Sequence, residues 1–550
     1  MIDVSRRELL VLASTTMAAA ALPSAAAAAS GANSDAGPPR KAARDGWGQT
    51  FEGQRCADRG DGTFRNPIMA GANADPSILK DGDDYYLTFS SFEATPGLLI
   101  WHSRDLVNWQ PFTNALPNPL GSVFAVDMIR HAGRYYIYIP FIPTAWSTEV
   151  SGGAAIYVIH ADSMAGPWSE PVDLGIRGRI DPGHVVGEDG ERYLFLSAGY
   201  RVRLTPDGLA TAGPVEKVYD GWKYPDDWVT EAYALEGPKM LRRGDWFYMV
   251  SAVGGTAGPP TGHMVIAARS RSIHGPWENC PHNPIVRTRN ATEAWWSRGH
   301  ATLVEGPGGD WWMVYHGFEN GFRSLGRQTL LEPVEWTRDG WFRARGGDLS
   351  RALPKPRGGQ SQPHGLPRSD TFATPALGTR WTFHAPGKDE ARRATFGPDG
   401  LRLAGKGSGP HDSSPLTNLA GDRSYAITVE LELEGAASGG LLLFLTSRLF
   451  VGMAVNGERM LTYAAGKVHH WREPAPATRR IFLRMENHEH IVTMFYSLDG
   501  ERWTRHGLRL ETSGYNINTA LAGEGEGLQP ALFAAGAGAV RYRNFTYQAL

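Results

Sequence analysis

At 550 residues the chain is too long for one ordinary core, which predicts at least two domains beyond any export segment. Its formal charge is -2, with 55 Lys and Arg scattered among 57 Asp and Glu, which excludes an electrostatic footprint for nucleic acid or an anionic membrane and leaves a neutral partner. Sixty-six Gly and 37 Pro, with few long helical patterns, favour an all-β architecture.

The chain opens on Ser5-Arg6-Arg7-Glu8-Leu9-Leu10, then an apolar run to about Leu22, Pro23 and small residues to Ser30. Residues 1–30 read as a signal peptide, and the paired arginines resemble the bacterial twin-arginine signal. An exported protein, periplasmic or extracellular, is expected; an ordinary secretory signal would imply the same. The apolar stretch is short and Ala-rich, so no membrane association is expected once it is removed. Residues 31–55 read as a flexible tether.

Five segments then share a polar turn followed by aromatics and an apolar strand: GDDYYLTFS at 82, AGRYYIYIP at 132, DGERYLFLS at 189, RGDWFYMVS at 243 and GGDWWMVYH at 308. Aligned on Tyr86, Tyr136, Tyr193, Phe247 and Trp312 they lie 50, 57, 54 and 65 residues apart. A second phrase recurs in WHSRDLVNWQ, IHADSMAGPWSE and AARSRSIHGPWEN, so the unit is a small sheet and not one hairpin. Five such sheets bury their faces best around one axis, which predicts a five-bladed β-propeller over residues 56–350.

Three acids stand in register with these hairpins: Asp75 in NADPSI, Asp181 in RIDPGHVV and Glu236 in LEGPKM. Each is followed, directly or after Gly, by Pro and an apolar strand. Alone, each reads as a turn motif. Shared register on blades one, three and four predicts that they meet at the axis. Carboxyl groups gathered in this way suit hydrolysis of a glycosidic bond, with one group activating water, one protonating the leaving oxygen, and about 6.5–9.5 Å between them in inverting enzymes. A third can hold the acid's pKa up by like-charge repulsion. The 18 Trp fit this reading, since rings lie well against sugar C–H faces, although most of them read as packing. Asp81, Asp83, Asp84, Asp189 and Glu231 fall in polar turns or loops and read as solvated.

The phrases NPIMAGANADPSI, SSFEATPGLLIWHSRDLVNW, EGPKM with SAVGGTAGPPTGHMVIAARS, GHATLVEGPGGDWWMVYHG and LGRQTLLEPVEW resemble glycoside hydrolase family 43, in its β-xylosidase and α-L-arabinofuranosidase branch. The resemblance implies an inverting, exo-acting enzyme releasing pentose from plant cell-wall polysaccharides or their oligosaccharides. Asp75 would be the general base, Asp181 the modulator and Glu236 the general acid. Arg327 would bond sugar hydroxyls, His300 would sit at the pocket floor and Phe92 would wall the subsite. Packing or ion-pair roles remain open for these three. No cofactor is expected for the chemistry; a structural calcium near His300 occurs in some relatives. Two departures bear on the substrate: Phe124-Ala125-Val126-Asp127 stands where Trp-Ala-Pro-Asp is usual, and Gly183 where Ser is common. A family member acting on arabinan or galactan, or a propeller that binds glycan without cutting it, are the alternatives.

Residues 351–368 read as a Pro/Gly-rich linker too polar for a core. Alternating strands from 369 to 550, such as YAITVELELEG and HIVTMFYSLDGERW, predict a β-sandwich. It resembles the concanavalin A-like domain that accompanies many family 43 xylosidases, which implies packing or a contribution to the active-site rim before independent glycan binding. Cys56 and Cys280 signal neither a zinc site nor a disulfide framework and leave open one bridge between them.

Overall fold

The five repeated hairpins become the second strands of five separate antiparallel sheets in the computed structural model, which describes residues 46–143, 153–469, 476–519 and 527–550. These strands are Asp84–Thr88, Arg134–Ile142, Arg192–Leu196, Trp246–Val253 and Trp311–Glu319. Each pairs with a preceding strand: Ser77–Asp81, Asp127–His131, Gly183–Val186, Glu236–Arg243 and Trp295–Glu305. Those first strands touch one another in turn around the ring, so they line the axis of a five-bladed β-propeller. In blades one, two and four the recurrent second phrase carries the chain from the end of the third strand, for example Gly97–Ser103, to the fourth, Gln110–Leu116.

Adjacent blades bury aromatic and branched residues face to face, as Tyr136, Tyr138, Ile156, Leu194 and Leu196 do between blades two and three. The ring closes through the segment entering blade one. Ile68 and Met69 donate their N–H groups to Thr329 O, and Asn73 N–H donates to Arg327 O. Strands Thr63–Phe64 and Leu353–Pro354 pair at the outside of the same seam.

The second domain is a β-sandwich built on two long antiparallel strands, Ser424–Thr446 and Gln529–Ala549, paired from Tyr425↔Ala549 to Phe444↔Gln529. Early residues of the first also pair with Arg480–His488 and late ones with Leu449–Val455, so the long strands pass through both sheets. Ile427, Leu431, Leu443, Met453, Leu483 and Val540 fill the space between them. Ion pairs Arg402–Glu434–Arg541 and Arg480–Glu430–Arg543 lace an outer face.

Two expectations need correction, and one question left open is answered. Residues 46–55, at the end of the expected tether, are folded: Gly48–Gln49 pairs with Arg55–Cys56, and Trp47 Nε1 donates to Asn66 O; residues 1–45 lie outside the described residues. The expected linker is packed on blade one. Leu366 joins the core with Trp109 and Trp312, and Lys355 bridges Asp58 and Asp105, so the propeller satisfies the polar groups that made the segment look solvated. Cys56 and Cys280 are both buried and both free thiols.

Sandwich and propeller are joined by strand pairing and by charge. Ala94–Thr95, from the blade-one loop, adds to a sandwich sheet beside Phe383–His384. On blade five, Glu319 accepts from both Arg55 Nη1 and Nη2 (3.1 and 2.8 Å), from Arg423 of the sandwich (2.7 Å) and from Gln328 (2.9 Å). Burial pushes the Glu319 carboxyl up, but Arg55 and then Arg423 outweigh it and hold it at about 2. Because the folded value lies below the ordinary 4.5, this group's stabilisation is complete above pH 4.5 and is lost as pH falls through about 2. Glu319→Gln is expected to cost about 3–5 kcal/mol, since it strands buried guanidinium charge. Urea denaturation at pH 7 measures that loss, and repeating it at falling pH should show a shallower acid dependence in the variant than in the parent.

Candidate active site

The axis-lining strands all start at one end of the ring, and that end carries the acids. Asp75 precedes Ser77–Asp81 by two residues, Asp181 precedes Gly183–Val186 by two, and Glu236 opens Glu236–Arg243. His300, inside the bulged strand Trp295–Glu305, brings them together. Its Nδ1 lies 3.5 Å from Asp75 Oδ1, and its Nε2 lies 3.8 Å from Asp181 Oδ2 and 3.3 Å from Glu236 Oε1. Asp75, Phe92, Asp181 and His300 adopt left-handed backbone, with φ of 57°, 44°, 56° and 54°. Few non-glycine residues do so, and the cost is met where packing over-determines the conformation.

Asp75 is buried within a ring of donors. Ser90 Oγ donates to its Oδ2 (2.6 Å) and Arg327 Nη1 to its Oδ1 (2.8 Å), while its own N–H donates to His316 Nδ1 (3.1 Å). Burial works against its charge, but Arg327 and then His300 prevail and hold the carboxyl well below the usual range. Asp75 is therefore ionised and able to take a proton.

Among the described residues no arginine or lysine pairs with Asp181, which has only His300 as a charged neighbour of opposite sign. It accepts the Gly237 N–H (3.1 Å), and burial, aided by Glu236 and Asp75 against the pull of His300, pushes its carboxyl up to about 7. Burial also opposes the charge of His300, yet Asp75, Glu236 and Asp181 raise it to about 9, so the imidazolium persists at neutral pH. Two further imidazoles stack beside it, His263 at 5.7 Å and His316 at 5.4 Å between ring centres. Burial lowers both, with His316 at about 4, which leaves one charged ring and two neutral ones.

All six residues expected from the sequence lie in this region. Arg327 holds the charge of Asp75, a partner that the sequence did not suggest, and its guanidinium stands 5.7 Å from the Phe92 ring centre. Phe92 meets Phe124 edge to face at 5.7 Å, so the unusual Phe124 of blade two shares its wall. Ser90, His263 and His316 were missed. The available signal was a lone polar residue in an apolar strand, as in MVYHG, which a buried packing residue also produces.

Glu236, His263 and His300 offer donor atoms within 4.8 Å of one another. Calcium takes six to eight oxygen ligands. Two imidazoles, one of them held protonated, and a single carboxylate do not fit that ion as direct ligands, so no step below passes through a metal.

Carboxyl groups gathered on a propeller axis, with one kept ionised, are the equipment of a glycosidic-bond hydrolase. The sequence profile of Glycosyl hydrolases family 43 matches residues 64–342, and that of the Beta xylosidase C-terminal Concanavalin A-like domain matches residues 369–548. A Xylan 1,3-beta-xylosidase of a Vibrio species is 29% identical over 509 residues, covering 82% of this chain and 92% of its own. The Non-reducing end alpha-L-arabinofuranosidase BoGH43B of Bacteroides ovatus is 34% identical over 364 residues, 62% of this chain and 65% of its own. Among solved structures, the GH43 BlXynB protein from Bacillus licheniformis matches with a TM-score of 0.79 at 25% identity, covering 89% of this chain and 100% of that one. The chain belongs to glycosyl hydrolase family 43 and is a glycoside hydrolase.

Arg327 is the principal cation holding Asp75 ionised. Removing it lets the carboxyl rise, so the ionised fraction at low pH falls. Arg327→Met is accordingly expected to move the acid limb of the kcat/KM profile upward by about 1–3 pH units, the usual effect of an adjacent opposite charge; an unmoved limb would contradict this account of the Asp75 charge.

Proposed function

We propose that this enzyme releases single pentose units, β-D-xylose or α-L-arabinofuranose, from the ends of plant cell-wall chains with inversion of configuration. The observation that carries this reading is the unequal setting of the acids around His300. The Asp75 side chain is 4% exposed and paired with Arg327, whereas that of Glu236 is 19% exposed and has no cation other than His300 near it among the described residues. A carboxylate that stays ionised suits the base, and a more accessible carboxyl suits the acid that must reach a leaving group.

Asp75 takes a proton from water as the water oxygen bonds to the anomeric carbon. Glu236 gives its proton to the glycosidic oxygen as the carbon–oxygen bond breaks. The products are the inverted sugar and the shortened chain, with Asp75 protonated and Glu236 ionised until solvent exchanges the protons. Asp181 takes no part in bond making; by accepting the Gly237 N–H it fixes the backbone beside Glu236 and so the position of that carboxyl. Phe92 and Phe124, with Arg327 beside them, form a wall suited to ending the pocket after one sugar, and the names of the Vibrio and Bacteroides relatives favour a pentose. The arginine pair and apolar run of residues 6–22 support export, and among the described residues no helix is long and apolar enough to cross a membrane.

Asp75→Asn and Glu236→Gln should each lower turnover of xylobiose or an arabino-oligosaccharide by roughly 10²–10⁴-fold while leaving the fold intact. Normal turnover in either variant would remove that residue from the chemistry. Proton NMR during hydrolysis of a β-xyloside should show α-xylose first; initial β-xylose would contradict inversion. A panel of nitrophenyl pentosides and hexosides then ranks the sugars.

A further inference from the structure

Three residues beyond Glu236, on the same strand, lies a buried ammonium that the chemistry above does not use. Lys239 Nζ donates to Val126 O (2.6 Å), to Asp127 Oδ1 (2.8 Å) and to Pro182 O (3.4 Å). An ammonium has three donors, and these bonds use them all. The acceptors belong to other blades. Val126 immediately precedes, and Asp127 begins, the axis-lining strand of blade two, next to the Phe124 wall, and Pro182 follows Asp181 on blade three. Asp127 in turn accepts the His184 N–H through Oδ2 (2.7 Å), which ties it to the start of the blade-three strand.

Between Glu236 and Lys239 the strand bulges: Glu236 faces Ala252, whereas Lys239 faces Val250. A bulge re-aims the side chain beside it. Here it turns Gly237, at φ 60°, so that its N–H meets Asp181. It also lays Pro238 on Gly183 so closely that a Cβ at position 183 would stand 1.6 Å from Pro238 O. Gly183 and Val126 come from the two departures noted in the sequence, and both lie against this one lysine. A buried ion pair of this kind adds little net stability over apolar packing, so stability alone does not account for it.

The geometry points to Lys239 as a positioning residue: by clasping blades two and three from the bulge that ends on Glu236, it sets the aim of that carboxyl at the leaving oxygen. The assignment rests on the reading of Glu236 as general acid, and the test separates the two. Turnover is measured on a pentoside disaccharide, whose leaving group needs a proton, and on the matching 2,4-dinitrophenyl pentoside, whose leaving group departs without one. Glu236→Gln serves as the reference and should lose far more on the disaccharide. Lys239→Met should show the same selectivity, with kcat on the disaccharide down roughly 10–100-fold, the scale of an ångström-sized misplacement, and KM little changed.

Lys239→Met leaves Asp127 unpaired, so the neutral double variant Lys239→Met/Asp127→Asn controls for folding; Asn keeps an acceptor for the His184 N–H. The double variant should recover the melting temperature yet keep the selective defect. Recovery of disaccharide turnover in the double variant would make Lys239 a mere counter-ion and overturn the proposal, as would equal losses on both substrates in Lys239→Met. Selectivity in Glu236→Gln but not in Lys239→Met overturns the proposal alone; its absence in Glu236→Gln overturns the general-acid reading and the proposal together.

Discussion

Two buried carboxyl groups and a half-buried third, gathered around one imidazolium, set the terms for the whole active end of the propeller. Taking charge out of water costs several kcal/mol per ion unless partners restore the loss. His300 reaches all three acids, but one positive ring cannot ionise them equally. Of the three acids, the second cation, Arg327, pairs with Asp75 among the described residues, and this asymmetry separates a committed carboxylate from Asp181, whose carboxyl burial pushes up to about 7. His263 and His316 stay uncharged under the same burial, so they fill the axis without adding to the repulsion. Division of labour among like groups thus comes from where a single guanidinium is placed.

That guanidinium, on the first residue of strand Arg327–Trp336, and the Phe92 wall are held by segments that the propeller does not support alone. Ala94–Thr95, just past Phe92, is a strand of the sandwich sheet. Leading into Arg327, the turn at 321–325 is held by the sandwich: His490 Nε2 donates to Gly321 O (2.6 Å), Ser324 Oγ donates to His490 Nδ1 (3.1 Å) and Leu528 N–H donates to Ser324 O (2.7 Å). The sandwich therefore braces loops on both sides of Asp75. Ion pairs cover an outer face where a glycan-binding domain would present bare aromatics, which agrees with a bracing role.

Several features were legible because they obey local rules. The hairpin repeat carries its own register, as Tyr86↔Leu79 and Tyr193↔Val185 show, and equal register on radial blades sends equal positions to one axis. Asp75, Asp181 and Glu236 could be gathered on that ground alone. Ser90 and His316 could not, since nothing in their neighbours in sequence distinguishes a ligand of Asp75 from a packing residue. Residues 46–55 and 351–368 misled for a related reason: polarity marks a segment as solvated only if no folded surface supplies its partners, and here Asp58, Asp105 and Glu319 supply them.

By itself, the sequence determined the five-fold repeat, the appended sandwich and the three acids, because strand period, turn chemistry and register are written in residues close together in the chain. Only the tertiary structure decided which acid is ionised, which loops the sandwich holds and how Lys239 clasps three blades. These depend on contacts such as Arg327 with Asp75, some 250 residues apart, and on left-handed backbone at Asp75, Asp181 and His300. Local propensity disfavours that conformation, and only long-range packing and burial of charge enforce it.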